Sequence, residues 1–83
     1  MTPVWINNAE YVGDYRLLLS FSTGEKKLFD GNDYVHTHPL FSTLQDINAY
    51  KNFELDGWTV SWQNRSLDIA PEYLYETGVP FKK

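Results

Sequence analysis

The chain has 83 residues, eleven acidic and seven basic, with a formal net charge of −4 and no cysteine. Without thiols there is no disulfide framework, thiolate zinc site or thiol catalysis, and the acidic balance weighs against nucleic acid, whose binding rests on Lys and Arg neutralising phosphates. The start, MTPVWINNAE, lacks the charged-then-apolar pattern of a signal peptide. The run Leu17-Leu18-Leu19 is also far short of the ~20 residues of a membrane span, so a cytoplasmic protein with no membrane attachment is expected.

Residues 4 to 12, VWINNAEYV, read as a first strand, with Val4 and Ile6 on one face, Trp5 on the other and a bulge at Asn7-Asn8. Gly13-Asp14 is a turn signal. Residues 15 to 22 are the clearest strand. Tyr15, Leu17, Leu19 and Phe21 alternate with Arg16, Leu18, Ser20 and Ser22, the period of a half-buried strand. Thr23-Gly24 turns the chain, and EKKLFD returns as a third strand ending at Asp30-Gly31, with Lys26 and Lys27 suited to an edge.

Leu40, Phe41, Leu44 and Ile47 have helical spacing, and Pro39 suits a first helical turn, so a short helix is expected over 39–46. Residues 50 to 55 read as a strand with Phe53 and Leu55 inward, and Asp56-Gly57 signals a type I′ hairpin. In WTVSW, Trp58, Val60 and Trp62 share a face. Asn64-Arg65 turns the chain into a short strand holding Leu67 and Ile69. Pro71 opens a last helix, with Glu72 in its first turn, Gly78 as its terminator and Pro80 beyond. Ala70 is a poor N-cap, which leaves Asp68 as a candidate to reach the helix start.

Three strands, a helix, three short strands and a helix make one domain over residues 1–83. The fold class is α+β: a small two-layer sandwich, an antiparallel sheet built from hairpins with two short helices. Three Trp, six Tyr and five Phe supply the apolar bulk that a small fold without disulfides needs. One face of such a sheet is covered and the other is open to a partner.

His36 and His38, with Asp30 and Asp33 nearby, are the donor types that zinc accepts. The competing reading is an Asx-rich turn followed by a helix entry at His38-Pro39, and no metal or other cofactor is expected. There is no nucleophile elbow, phosphate loop or metalloprotease motif, and the acids Asp46, Glu54, Asp56, Asp68, Glu72 and Glu76 are scattered, so no catalytic residue is named. Trp58 and Trp62 suit either a stacking platform or the core, and the core has the greater need of them. Trp5 and Tyr11 on the first strand are the candidate interaction residues. Asn64 and Asp68, at a strand–turn–helix corner, either satisfy local backbone N–H groups or line a small pocket.

The segment WTVSWQNRSLDIAPEYLYE resembles the closing motif of a bacterial family, domain of unknown function 2442. That motif is matched by Val60, Trp62, Asn64, Asp68, Ile69, Ala70, Pro71, Glu72, Leu74, Tyr75 and Glu76. An earlier family segment is matched by Asp14, Tyr15, Leu17, Leu19, Phe21, Gly24 and Glu25, and a middle one by Asp30, Leu40, Phe41 and Leu44. The resemblance implies a compact α+β domain with no established activity. Some relatives carry an added helix-turn-helix, which is not expected here with Lys83 as the last residue. Others are stand-alone chains, for which the resemblance implies a toxin-like partner. The expected function is therefore a non-catalytic interaction or regulatory module binding another protein, a second copy included. Small-ligand or metal binding is the alternative.

Overall fold

The structure is a computed structural model and describes residues 3–63 and 65–81. Strand β1 (Ile6–Gly13) pairs antiparallel with β2 (Arg16–Phe21), and β2 with β3 (Lys26–Asp30). The period of two in β2 sets this sheet's polarity: Leu17, Leu19 and Phe21 are buried, and Phe29 of β3 lies beside them. The register of β1 slips between Ile6 and Asn8, so the bulge expected at Asn7-Asn8 is present.

The β1–β2 turn runs one residue later than the Gly13-Asp14 signal. Asp14 and Tyr15 form its two-residue loop, both with positive φ (52° and 61°), as a type I′ hairpin requires. Tyr15 is therefore a turn residue rather than the first of the strand. The left-handed region costs a non-glycine residue roughly 1–2 kcal/mol. Against this, the Tyr15 ring packs edge-on to Tyr50, with centroids 5.3 Å apart, and its hydroxyl donates to the Gln45 carbonyl.

The middle of the chain departs most from the sequence reading. Asn32–Thr37 form a helix, α1, started by Asp30, whose carboxylate accepts from the Asn32 N–H at 2.9 Å. His38 is then extended, as the residue before a proline must be, and this ends α1. Residues Pro39–Gln45 wind as a 3₁₀ helix, not an α-helix. Asp46 does not continue it. Its side chain accepts from the Asn48 N–H and caps α2 (Ile47–Lys51), which takes the first two residues of the expected strand. Phe41 and Leu44 are buried as their spacing predicts, but Leu40 is 77% exposed.

What remains of that strand is β4 (Glu54–Leu55), pairing with β5 (Val60–Trp62) and β5 with β6 (Leu67–Asp68) in a second antiparallel sheet. Of the β4–β5 turn only Gly57 has positive φ, so it is not type I′. The Asp56 carboxylate shapes it by accepting from the Trp58 and Thr59 N–H groups, each at 2.9 Å. Helix α3 (Pro71–Thr77) follows, with Pro71 in its first turn and no side-chain cap from Asp68 or any other described residue. The chain then adds β7 (Val79–Pro80) to the free edge of β3, giving the first sheet the order β1-β2-β3-β7. Proline fits there because an edge strand can do without its N–H.

One core cluster joins all of this, from Ile6, Leu17, Leu19, Phe21 and Phe29 of the first sheet to Val60 and Trp62 of the second, and to Val35, Tyr50 and Leu74 of the helices. The fold is α+β with antiparallel sheets. No helix among the described residues is long and apolar enough to cross a membrane.

Candidate interaction surface

The N-terminal segment stitches the two sheets together. The Ile6 N–H donates to the Trp58 carbonyl at 2.9 Å, while Trp5 bonds to Ser22, whose N–H donates to the Trp5 carbonyl at 2.9 Å. This seam brings together two tryptophans far apart in sequence. Trp5 and Trp58 stack with centroids 6.3 Å apart and planes 20° from parallel, and both stay open to solvent, at 39% and 44% exposure. The Trp5 indole N–H donates to the Asn7 side chain at 3.0 Å, which fixes the ring. Trp62 takes the opposite course: it is buried and donates its indole N–H to the Tyr50 carbonyl at 2.8 Å. The two tryptophans of WTVSW therefore do not share a face, because Trp58 lies in the turn before β5.

Tyr11 is less available than Trp5. It is half-buried, packs edge-on to Tyr50 and lies under the Lys51 ammonium, 5.7 Å from the ring centroid. The first sheet has an open face as well. In its pairing register Glu10, Leu18, Leu28 and Val79 form a row opposite in direction to Leu17, Leu19 and Phe29, and Leu18 and Leu28 are only partly covered.

The two histidines point to different neighbours. His36 Nδ1 lies 2.7 Å from the Asn32 carbonyl and its ring meets Tyr15 edge-on, whereas His38 stacks on Tyr34, with centroids 4.1 Å apart. No group of three or more His, Cys, Asp or Glu among the described residues is placed to hold a metal. Asp33 is exposed, and Asp30 is occupied with Asn32. Asn64 lies outside the described residues. Asp68 is exposed, opposite Ser61, and its charge helps raise the pKa of Tyr34, after burial and together with Tyr73.

The model of one family, "Protein of unknown function (DUF2442)", matches residues 6–80. The chain belongs to that family. No curated protein and no solved structure matches it.

Several motif residues of this DUF2442 chain do structural work. Val60, Trp62, Ile69, Pro71 and Leu74 are buried. Tyr75 ties the closing motif to the early one: its hydroxyl donates to the Glu25 carboxylate. That bond, first of all, lowers the Glu25 pKa and raises that of Tyr75. Lys27 is drawn to the same place, with its ammonium 3.6 Å from the Tyr75 ring centroid and donating to the Tyr75 carbonyl at 2.7 Å. Lys27 thus serves the covered face instead of a solvated edge. Nothing local in EKKLFD distinguishes it from Lys26, and only the alternation against Leu19 marks it as inward. The Trp5–Trp58 pair had no such signal, since both residues sit outside regular strands.

Proposed function

We propose that this DUF2442 chain is a non-catalytic, cytoplasmic interaction module that binds another protein through the Trp5–Trp58 pair. The observation that carries this reading is the exposure of both rings at a seam held by backbone hydrogen bonds. Large aromatics are the residues a small core can least spare, and pre-fixed aromatic rings are the commonest anchors of protein interfaces. The fixed stacking of the pair lowers the entropy lost on binding. The acidic net charge supports a protein partner over a nucleic acid.

The test is affinity purification with mass spectrometry from the source cell, comparing wild type with Trp5→Ala and Trp58→Ala. Both variants are checked for a native melting transition. A specific partner retained by wild type and lost from both variants supports the reading. Equal capture by all three overturns it.

A further inference from the structure

We propose that the open face of the four-stranded sheet docks on the same face of a second copy of this chain, forming a symmetric dimer. The inference goes beyond the tryptophan pair and uses different residues.

The register defines the face. Leu18 pairs with Leu28, and Leu28 with Val79; on the same side Arg16 pairs with Asp30, and Ser20 with Lys26. Helix α3 and the core lie on the other side, with Leu17, Leu19 and Phe29. Leu18 and Leu28 are half-buried yet belong to neither the core cluster nor its packed fringe, and Val79 is 64% exposed. An apolar row therefore crosses three strands, and among the described residues the core cluster and its packed fringe do not include it.

The charge pattern identifies the occupant. A two-fold axis lying along the strands, between β2 and β3, exchanges the members of each β2–β3 register pair and brings Val79 over Glu10 of the second copy. It sets Leu18 over Leu28 of the second copy and Arg16 against its Asp30, twice over. A contact that maps one patch onto itself is the usual form of a homodimer. The side chain of Arg16 is 45% exposed; its Nε donates to the Gly13 carbonyl at 3.3 Å and its Nη2 lies 3.7 Å from the exposed Asp14 carboxylate, which leaves Nη1 for a second copy. Asp30 uses Oδ1 on Asn32, which leaves Oδ2 for an incoming guanidinium. Sheets packed this way sit about 10 Å apart. Four strands of this length make a small contact, in the weak class below about 1,200 Å² in total.

Sedimentation equilibrium from about 10 μM to 1 mM tests this, since weak interfaces self-associate in that range. Wild type is expected to move from one chain to two. Arg16→Asp and Asp30→Arg each place like charges across the axis, so each alone is expected to weaken association by at least about tenfold. Mixed in equal amounts they are expected to associate again, because both cross-copy contacts then join opposite charges. Should Asp30→Arg not melt cooperatively, Leu28→Lys replaces it and is expected to abolish the dimer, with Trp5→Ala leaving it intact. A single-chain mass at 1 mM overturns the proposal. So does a dimer that survives Arg16→Asp or depends on Trp5, and that last result would leave the tryptophan reading standing.

Discussion

Two buried or half-buried residues show how little room this core leaves. Gly31 is buried against Tyr50, and a Cβ added there would lie 2.3 Å from the Tyr50 hydroxyl oxygen. That hydroxyl has no hydrogen-bond partner among the described residues, and burial, with Asp30 and Tyr11 adding to it, pushes its pKa far up. Gly31→Ala is therefore expected to cost about 1–3 kcal/mol, as overpacking does. Tyr50→Phe removes an unpaired polar group and is expected to be near neutral or stabilising. In the double variant the penalty shrinks without vanishing, since Cζ would still be 2.9 Å from the new Cβ. Urea denaturation of the three variants gives the coupling energy, and strict additivity would contradict the steric account. Asp56 makes a prediction about pH. The Thr59 N–H first, and the Trp58 N–H with it, hold its carboxyl below the usual range. Its folded pKa is thus lower than its unfolded one, so its contribution is complete above the unfolded value and is lost as pH falls through the folded value. Asp56→Ala is expected to cost about 1 kcal/mol at pH 7, after allowance for solvent screening. The gap to wild type should close once pH has fallen below the folded value, where both forms lack the carboxylate. A gap that persists there would mean that the side chain acts by packing.

At the scale of elements, Gly78 controls how the chain leaves α3 and joins the first sheet. Its φ is not positive, so the terminator role read from sequence has another basis: space. A Cβ there would lie 2.8 Å from the Leu74 carbonyl oxygen and 2.9 Å from Lys27 Cβ. Gly78→Ala is expected to push β7 off β3 at a cost of about 1–3 kcal/mol. Hydrogen exchange reads this directly, because the Phe81 N–H donates to the Lys26 carbonyl at 2.9 Å and should lose protection, while the amides of β2 keep theirs. Retained protection at Phe81 would show that the contact yields without moving the strand. The elements differ in how plainly the sequence announces them, and the cause is physical. Strand β2 declares itself because one face is buried and the other is not, so its side chains alternate cleanly. Residues 31–51 do not, because their helices are too short for propensity to define and are held by packing. Their ends are set by single residues: Asp30 starts α1, His38 before Pro39 stops it, and Asp46 caps α2 when spacing alone would run a helix through it. Strand β7 has two residues and exists only because β3 offers an edge. The candidate surface was half legible. Trp5 stood out as an aromatic on an outer face, but its stacking on Trp58 comes from long-range pairing that no local pattern encodes.

For the molecule as a whole, both sheets and all three helices contribute to one cluster, and Trp62 stands where they meet. It stacks on Tyr50 with centroids 5.6 Å apart, meets Phe41 edge-on at 6.0 Å, and donates its indole N–H to the Tyr50 carbonyl. A domain of this length has a total stability of roughly 4–12 kcal/mol, while truncating a buried tryptophan costs about 3–5 kcal/mol. Trp62→Ala is therefore expected to remove about a quarter or more of the whole, with a large fall in the urea midpoint and loss of near-ultraviolet circular dichroism. Trp62→Phe keeps most of the bulk and gives up the indole hydrogen bond, so it should fall between wild type and Trp62→Ala. The outcome also tests whether the two sheets stand or fall together. The second sheet has strands of only two or three residues, and a hairpin set that small is not stable by itself. It borrows stability from the first sheet through the Ile6–Trp58 hydrogen bond and the shared core. If that is right, amides of β2 and β5 should lose hydrogen-exchange protection by the same free energy in Trp62→Ala. Loss confined to β5, with β2 unchanged, would mean that the four-stranded sheet holds without the second, and that the cluster is two cores in contact and not one.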